Sequence, residues 1–189
     1  MPQPTGRPNA RLRQTMGDMV RSMAIVLGVI GVIMLVTWRP QPDAVRVVSI
    51  QEQLTLAQMQ ADFTVLTPVG LTEQWRSTSA RWEPTQASDV APVWHVGYVT
   101  PSDEYLQFTQ VGTGDTAGAS VNADAFIAEQ TVDGSPGESA TVGGEVWERW
   151  ESSERRSLVL TSADSVTVVS GTGDWSEIEQ YAGALRPAQ

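Results

Sequence analysis

Residues 22–38, SMAIVLGVIGVIMLVTW, run for seventeen positions without a charge. A helix rising ~1.5 Å per residue covers roughly 25 Å over that length, close to the ~30 Å of a bilayer's hydrocarbon core. Arg21 reaches the headgroups at one end by extending its guanidinium, and Trp38 and Arg39 mark the opposite interface. Gly28 and Gly31 are tolerated because no water competes for the helix backbone. A cleaved signal peptide has a shorter apolar stretch and then small residues. Here the run ends in Val36-Thr37-Trp38-Arg39-Pro40, which favours an uncleaved signal anchor. A buried core helix fits less well, because arginines crowd only one end.

The flanking charges give the direction. Residues 1–21 carry Arg7, Arg11, Arg13 and Arg21 against Asp18 alone. The positive-inside rule therefore predicts a cytoplasmic basic N-terminus (1–21), a transmembrane helix (22–38) and everything beyond it outside the cytoplasm. Residues 1–39 hold five arginines and one acid, a net +4, whereas residues 40–189 hold seven arginines and twenty-one acids, a net −14. A domain that acidic repels polyanions, so nucleic acid is not an expected partner. The expected partners are the membrane, through 22–38, and an envelope protein or a glycan or lipid component.

Composition narrows the chemistry. All twelve basic residues are arginine, cysteine is absent, and His95 is the only histidine. That excludes lysine Schiff bases, thiol nucleophiles, disulfides, iron–sulfur clusters and multi-histidine zinc sites. No cofactor is expected, and the non-enzymatic reading leads.

Pro40 and Pro42 stiffen an extended linker over 39–48. From 49 to 187 the pattern predicts an α+β domain, an antiparallel sheet with packed helices. Ser49-Ile50-Gln51-Glu52 has capping-box spacing, and Ile50, Leu54, Ala57 and Ala61 follow at helical intervals over about 50–60. Strand-like runs cover 63–67, 75–82, 93–100 and 105–111, the last two joined by a hairpin at Pro101-Ser102-Asp103-Glu104. A glycine-rich loop at 112–119 precedes a helix capped by Asn122, running to Gln130. A second meander reads 139–142, Gly143-Gly144, 145–151, 157–161 and 165–170. Asp174 then caps a final helix to about Leu185.

The pattern GLTEQWRSTSAR (70–81) and WHVGYVTPSDEYLQFTQ (94–110), behind a short arginine-bearing N-terminus, one apolar helix and a proline-containing exit, resembles an actinobacterial family of single-pass proteins whose outer domain has no known function. The resemblance runs from about residue 11 to 186. It rests most on Gly70, Leu71, Trp75, Arg76, Thr78, Ser79 and Arg81, and on Trp94, His95, Gly97, Tyr98, Thr100 and Pro101. Gln74 stands where that family usually has glycine. The resemblance implies the topology and an envelope setting, and no activity.

Six tryptophans in the outer domain, Trp75, Trp82, Trp94, Trp147, Trp150 and Trp175, supply large apolar area for a core, a glycan contact or an interface. Strict alternation puts Trp75 and Trp82 on opposite faces, Trp147 and Trp150 likewise, and also Arg76 and Arg81. One or two of the tryptophans are then exposed or half-exposed. Trp75, Trp94, Tyr98, Trp147 and Trp150 are the candidate aromatic contacts. Arg76 and Arg81 are expected to pair with acids such as Asp103 or Glu104, or else to hold an anion. His95 reads as a neutral sheet histidine, or as a base if a hydroxyl from Ser77, Thr78 or Ser79 lies beside it. Glu145, Glu148, Glu151 and Glu154 read as a solvated hairpin edge. The leading expectation is a membrane-anchored binding or interaction module of the cell envelope. The second is a carrier or sensor with a Trp/Tyr-lined pocket, and the third a hydrolase using His95.

Overall fold

A computed structural model describes the backbone of residues 10–37, 47–84, 91–113 and 122–188. Most of the linker expected at 39–48 (39–46) and most of the glycine-rich loop (114–119) lie outside the described residues. The chain divides into two compact units, 1–44 and 45–189.

In the first unit, helix α1 (Ala10–Thr37) is 28 residues long. Its side chains are described from 19 to 34, and the large apolar ones among them are 47–69% exposed. Among the described residues, no helix is long and apolar enough to cross a membrane. The span expected at 22–38 is therefore not met within them. Of the residues in that expected span, side chains are described at 22–34, and those at 35–38 lie outside the described set.

The second unit is α+β, and its helices follow from local signals. α2 (Gln51–Gln60) buries Leu54 and Ala57, as the periodicity predicts. The capping box does not form. Ile50 already has helical angles, so Ser49 sits too early to reach the third turn position, and its hydroxyl meets only the Gln51 N–H at 3.4 Å. α3 (Ala123–Thr131) and α4 (Trp175–Ala184) are capped by Asn122 and Asp174, whose side chains accept from Ala125 N–H and Glu177 N–H. α4 stops at Ala184, and Leu185 turns extended instead of ending the helix.

Strands β2 (Arg76–Glu83), β3 (Val93–Val99) and β4 (Tyr105–Gly112) form one meander. A second consists of β5 (Ser135–Val142), β6 (Glu145–Glu151), β7 (Arg156–Thr161) and β8 (Ser165–Gly171). Gly143 and Gly144, at φ 65° and 94°, make the two-residue turn that ordinary residues resist. Between the meanders the chain passes through α3 and starts again at the far edge. The order is therefore β2-β3-β4-β8-β7-β6-β5, antiparallel throughout. A separate two-stranded sheet pairs β1 (Leu66–Pro68) with β9 (Leu185–Pro187). Of the strand expected at 63–67, Phe63 and Val65 instead enter the core.

One irregularity changes which side chains share a face. The register of β2 on β3 shifts between Ser77 and Ser79, so Thr78 is an extra residue. Counting through the bulge, Trp75 returns to the face of Trp82, and both join the same core. Arg76 and Arg81 likewise share a face, opposite Val99 and His95 of β3. The opposite-face expectations for both pairs fail for this one reason.

α2, α4 and the β1–β9 pair cover the core face. Tyr181 of α4 lies 5.1 Å from Tyr98, 5.7 Å from Trp75 and 6.2 Å from Phe108, ring centre to ring centre. On the other face α3 packs Ile127 against Val111, Val159, Val166 and Val168. The glutamates at 145, 148, 151 and 154 are all exposed, but the sheet edge itself is β5.

Candidate functional site

The candidate aromatics divide between the two faces. Trp75, Trp94, Tyr98 and Trp147 are buried in the core, while Trp150 is half-buried against the α3 side. Several indoles fasten elements together. Trp94 Nε1 donates to Leu66 O at 3.0 Å, Trp82 Nε1 to Gln60 Oε1 at 2.8 Å, and Trp147 Nε1 to Val142 O at 3.3 Å. Trp175 is half-buried beneath the Arg149 guanidinium, 5.0 Å from its ring. Burial pushes the Tyr98 hydroxyl up to about 12 and raises the Tyr181 hydroxyl well above its ordinary value, so both stay protonated.

Arg76 pairs with Asp103, one of the acids the sequence suggests, and Arg81 with Glu83 at 3.4 Å. His95 lies on the same face as both arginines. Its Nδ1 is 3.3 Å from the Thr109 hydroxyl, which accepts from Gln107 Nε2 at 3.1 Å and donates to Gln130 Oε1 at 3.2 Å. Burial first, and then Arg81, hold His95 below the ordinary imidazole range, against a weaker opposing pull from Glu83. The hydroxyl it meets is thus not one of those at 77–79; Ser77 turns instead to Val48 O at 2.6 Å. Thr109 is buried with its hydrogen directed at Gln130, so this network ties the sheet to α3.

A cavity opens elsewhere, on the core face. About 550 Å³ in volume and half open, it lies between the sheet, the end of α4 and the β1–β9 pair. Leu66, Val142, Leu160, Ala182, Leu185 and Pro187 make its apolar walls. Gln110, Ser165 and Thr167 form a buried polar floor. Gln110 is fully engaged: its Oε1 accepts from Leu66 N–H at 3.0 Å, and its Nε2 donates to Thr64 O at 2.8 Å and Ser165 Oγ at 3.3 Å. At the rim, Asp164 accepts from Thr64 N–H at 3.0 Å and from the hydroxyls of Ser162 and Ser165. Those bonds, Thr64 foremost, hold its carboxyl below the usual range despite partial burial. Thr167 is 2% exposed, and among the described residues its hydroxyl has no side-chain partner.

The pocket expected to be lined by Trp and Tyr is instead lined by a mixture of aliphatic and polar residues. Trp147 is its one aromatic, and Trp75, Trp94 and Tyr98 take no part, because all three pack into the sealed core. Sequence reasoning missed Gln110, Leu160 and Thr167. The signal for Gln110 lay in its own strand, where Leu106, Phe108 and Gln110 alternate onto the core face and the third is polar. Among the described residues, no group of three acids or histidines could hold a metal ion.

Fold and cavity together define a small α+β domain with a half-open pocket of mixed aliphatic and polar lining. The chain belongs to the family described as "Protein of unknown function (DUF4245)", whose profile matches residues 11–185. No curated protein matches the chain.

Proposed function

We propose that this protein is a membrane-anchored, extracytoplasmic binding module that holds a small ligand in the cavity between the sheet, α4 and the β1–β9 pair. The observation that carries this reading is the cavity itself: a volume of about 550 Å³ left open in a face otherwise packed with aromatics, with the Thr167 hydroxyl at its floor. The anchoring half of the reading draws on the uncharged run 22–38, the arginines before it, and the exposed apolar side chains around α1. The buried tryptophans draw support away from an interface made of exposed indoles. His95 meets a threonine hydroxyl, but that of Thr109 is buried and gives its hydrogen to Gln130, so this contact lends the hydrolase reading little support.

The test is NMR on the full-length chain in lipid nanodiscs, following tryptophan indole N–H signals during a small-molecule screen. The reading expects the Trp147 signal to move with bound compounds while that of Trp94 stays still. A screen in which no compound moves Trp147 contradicts it. A protein-partner reading keeps one supporting observation, since β5 is an edge strand with six of its eight residues exposed. Co-purifying subunits would favour that reading.

A further inference from the structure

The chemistry of the cavity restricts what it holds, and this inference rests on the binding reading above. Six aliphatic side chains make up part of its lining beside polar ones, and Trp147 is 2% exposed with its indole N–H already committed to Val142 O. No open aromatic platform is offered for a sugar ring to stack on, nor a cage for a quaternary amine. The aliphatic part of the lining, Leu66, Val142, Leu160, Ala182, Leu185 and Pro187, instead matches an alkyl chain, with polar groups beside it.

The floor adds one polar contact. Gln110 and Ser165 spend their groups on Thr64, Leu66 and Asp164, which leaves the Thr167 hydroxyl as the buried group able to meet a ligand. The charged residues of the lining are Asp164, Glu145 and Arg186, a net −1. Arg186 points its Nη1 at Gly183 O, 2.9 Å away, and at Leu185 O, so its charge serves the end of α4. An anionic head would face two carboxylates across the mouth, in a domain whose net charge over 40–189 is already −14.

Taking ~30 Å³ per water-sized group, the volume has room for roughly 18 such groups. We propose that the cavity takes an uncharged amphiphile of about that many non-hydrogen atoms, an alkyl chain carrying a hydroxyl or carbonyl oxygen that bonds Thr167. A medium-chain monoacylglycerol has this chemistry. The alkyl chain lies along Leu66, Val142, Leu160 and Leu185, and the hydroxylated head stays at the rim.

Three photoreactive probes sharing one decyl-length chain test this on the full-length protein in nanodiscs: a monoacylglycerol, a fatty acid and an alkyltrimethylammonium. The monoacylglycerol is expected to label peptides containing Val142, Leu160 or Leu185. Thr167→Val should cut that labelling about fivefold, the loss of one hydrogen bond of ~1 kcal/mol. Leu160→Trp should abolish it, and Val142→Trp, at another wall residue, serves as a second blocking variant should the first not fold. Equal or stronger labelling by the acid or the amine overturns the uncharged class. If the monoacylglycerol fails to label while other compounds still move the Trp147 signal, the ligand class falls and the binding reading stands. If nothing labels the cavity and nothing moves Trp147, both fall.

Discussion

A single rung of the large sheet joins two regions that have solved opposite problems. Trp82 faces Trp94, Trp94 faces Gln110, Gln110 faces Thr167, and Thr167 faces Leu160. At the tryptophan end the space beneath α2 and β1 is filled, and Trp94 is wholly buried. At the other end the side chains are smaller, α4 gives way to β9, and about 550 Å³ stays open. Interiors normally pack as densely as organic crystals, and voids cost stability. An opening with a polar floor beside so tightly packed a region is therefore a feature of the fold. The contrast lies between a filled aromatic half and an unfilled half of mixed aliphatic and polar lining.

The sharpest way to break that contrast is to empty the filled end. Trp94→Ala removes a buried indole and its bond to Leu66 O, and is expected to cost ~3–5 kcal/mol in a denaturant titration. A cost below ~1 kcal/mol would mean that the tryptophan end is no better packed than the cavity end. Next in size comes Gly171→Ala in β8, at the junction of the two meanders. A Cβ there would sit 2.7 Å from the Tyr105 carbonyl oxygen and 3.4 Å from Leu106 Cα, both backbone atoms, so the strands themselves must part. A loss of ~1–3 kcal/mol is expected in the same titration, and an unchanged midpoint would show that β4 and β8 are not held in this register.

At the open end the cost disappears. Thr167→Val keeps the shape and removes a hydroxyl that faces the cavity, so the ligand-free protein should change by no more than ~0.5 kcal/mol in thermal unfolding. A clear loss would show that the hydroxyl is already satisfied within the protein. The smallest effect belongs to His95, on the opposite face. Its folded pKa lies below 6.5, so the unfolded chain binds the extra proton first as pH falls. Its contribution to stability is present above the unfolded pKa and is lost as pH falls through 6.5 toward the folded value. Between pH 7 and 5, His95→Gln should flatten that part of the stability profile. Profiles that superimpose would contradict the burial of His95.

Local chemistry made much of this fold readable in advance. Asn122 and Asp174 cap helices because a short polar side chain precedes a periodic apolar run, and Gly143-Gly144 turns because both positions require positive φ. The 93–99 and 105–112 hairpin follows from alternation on either side of a proline-led turn. What escaped is non-local or only one residue wide. The bulge at Thr78 reverses the alternation of β2 with no glycine or proline to announce it, and it reassigned Trp75 and Arg76 together. The pairing of β4 with β8 joins residues some sixty apart, and β1 and β9 are three residues each, too short for any periodicity. The cavity escaped for the same reason, since its walls meet only when β9 folds back on β1. Gln110 alone was within reach, as a polar residue in a core-facing position.

The most direct test of the central claim is native mass spectrometry of the full-length protein released gently from its own membrane, with Leu160→Trp measured beside it. The account predicts a recurrent small-molecule adduct on the wild-type chain that disappears from the folded variant, whose cavity the indole fills. A bare wild-type chain, or an adduct that survives unchanged in Leu160→Trp, would contradict it.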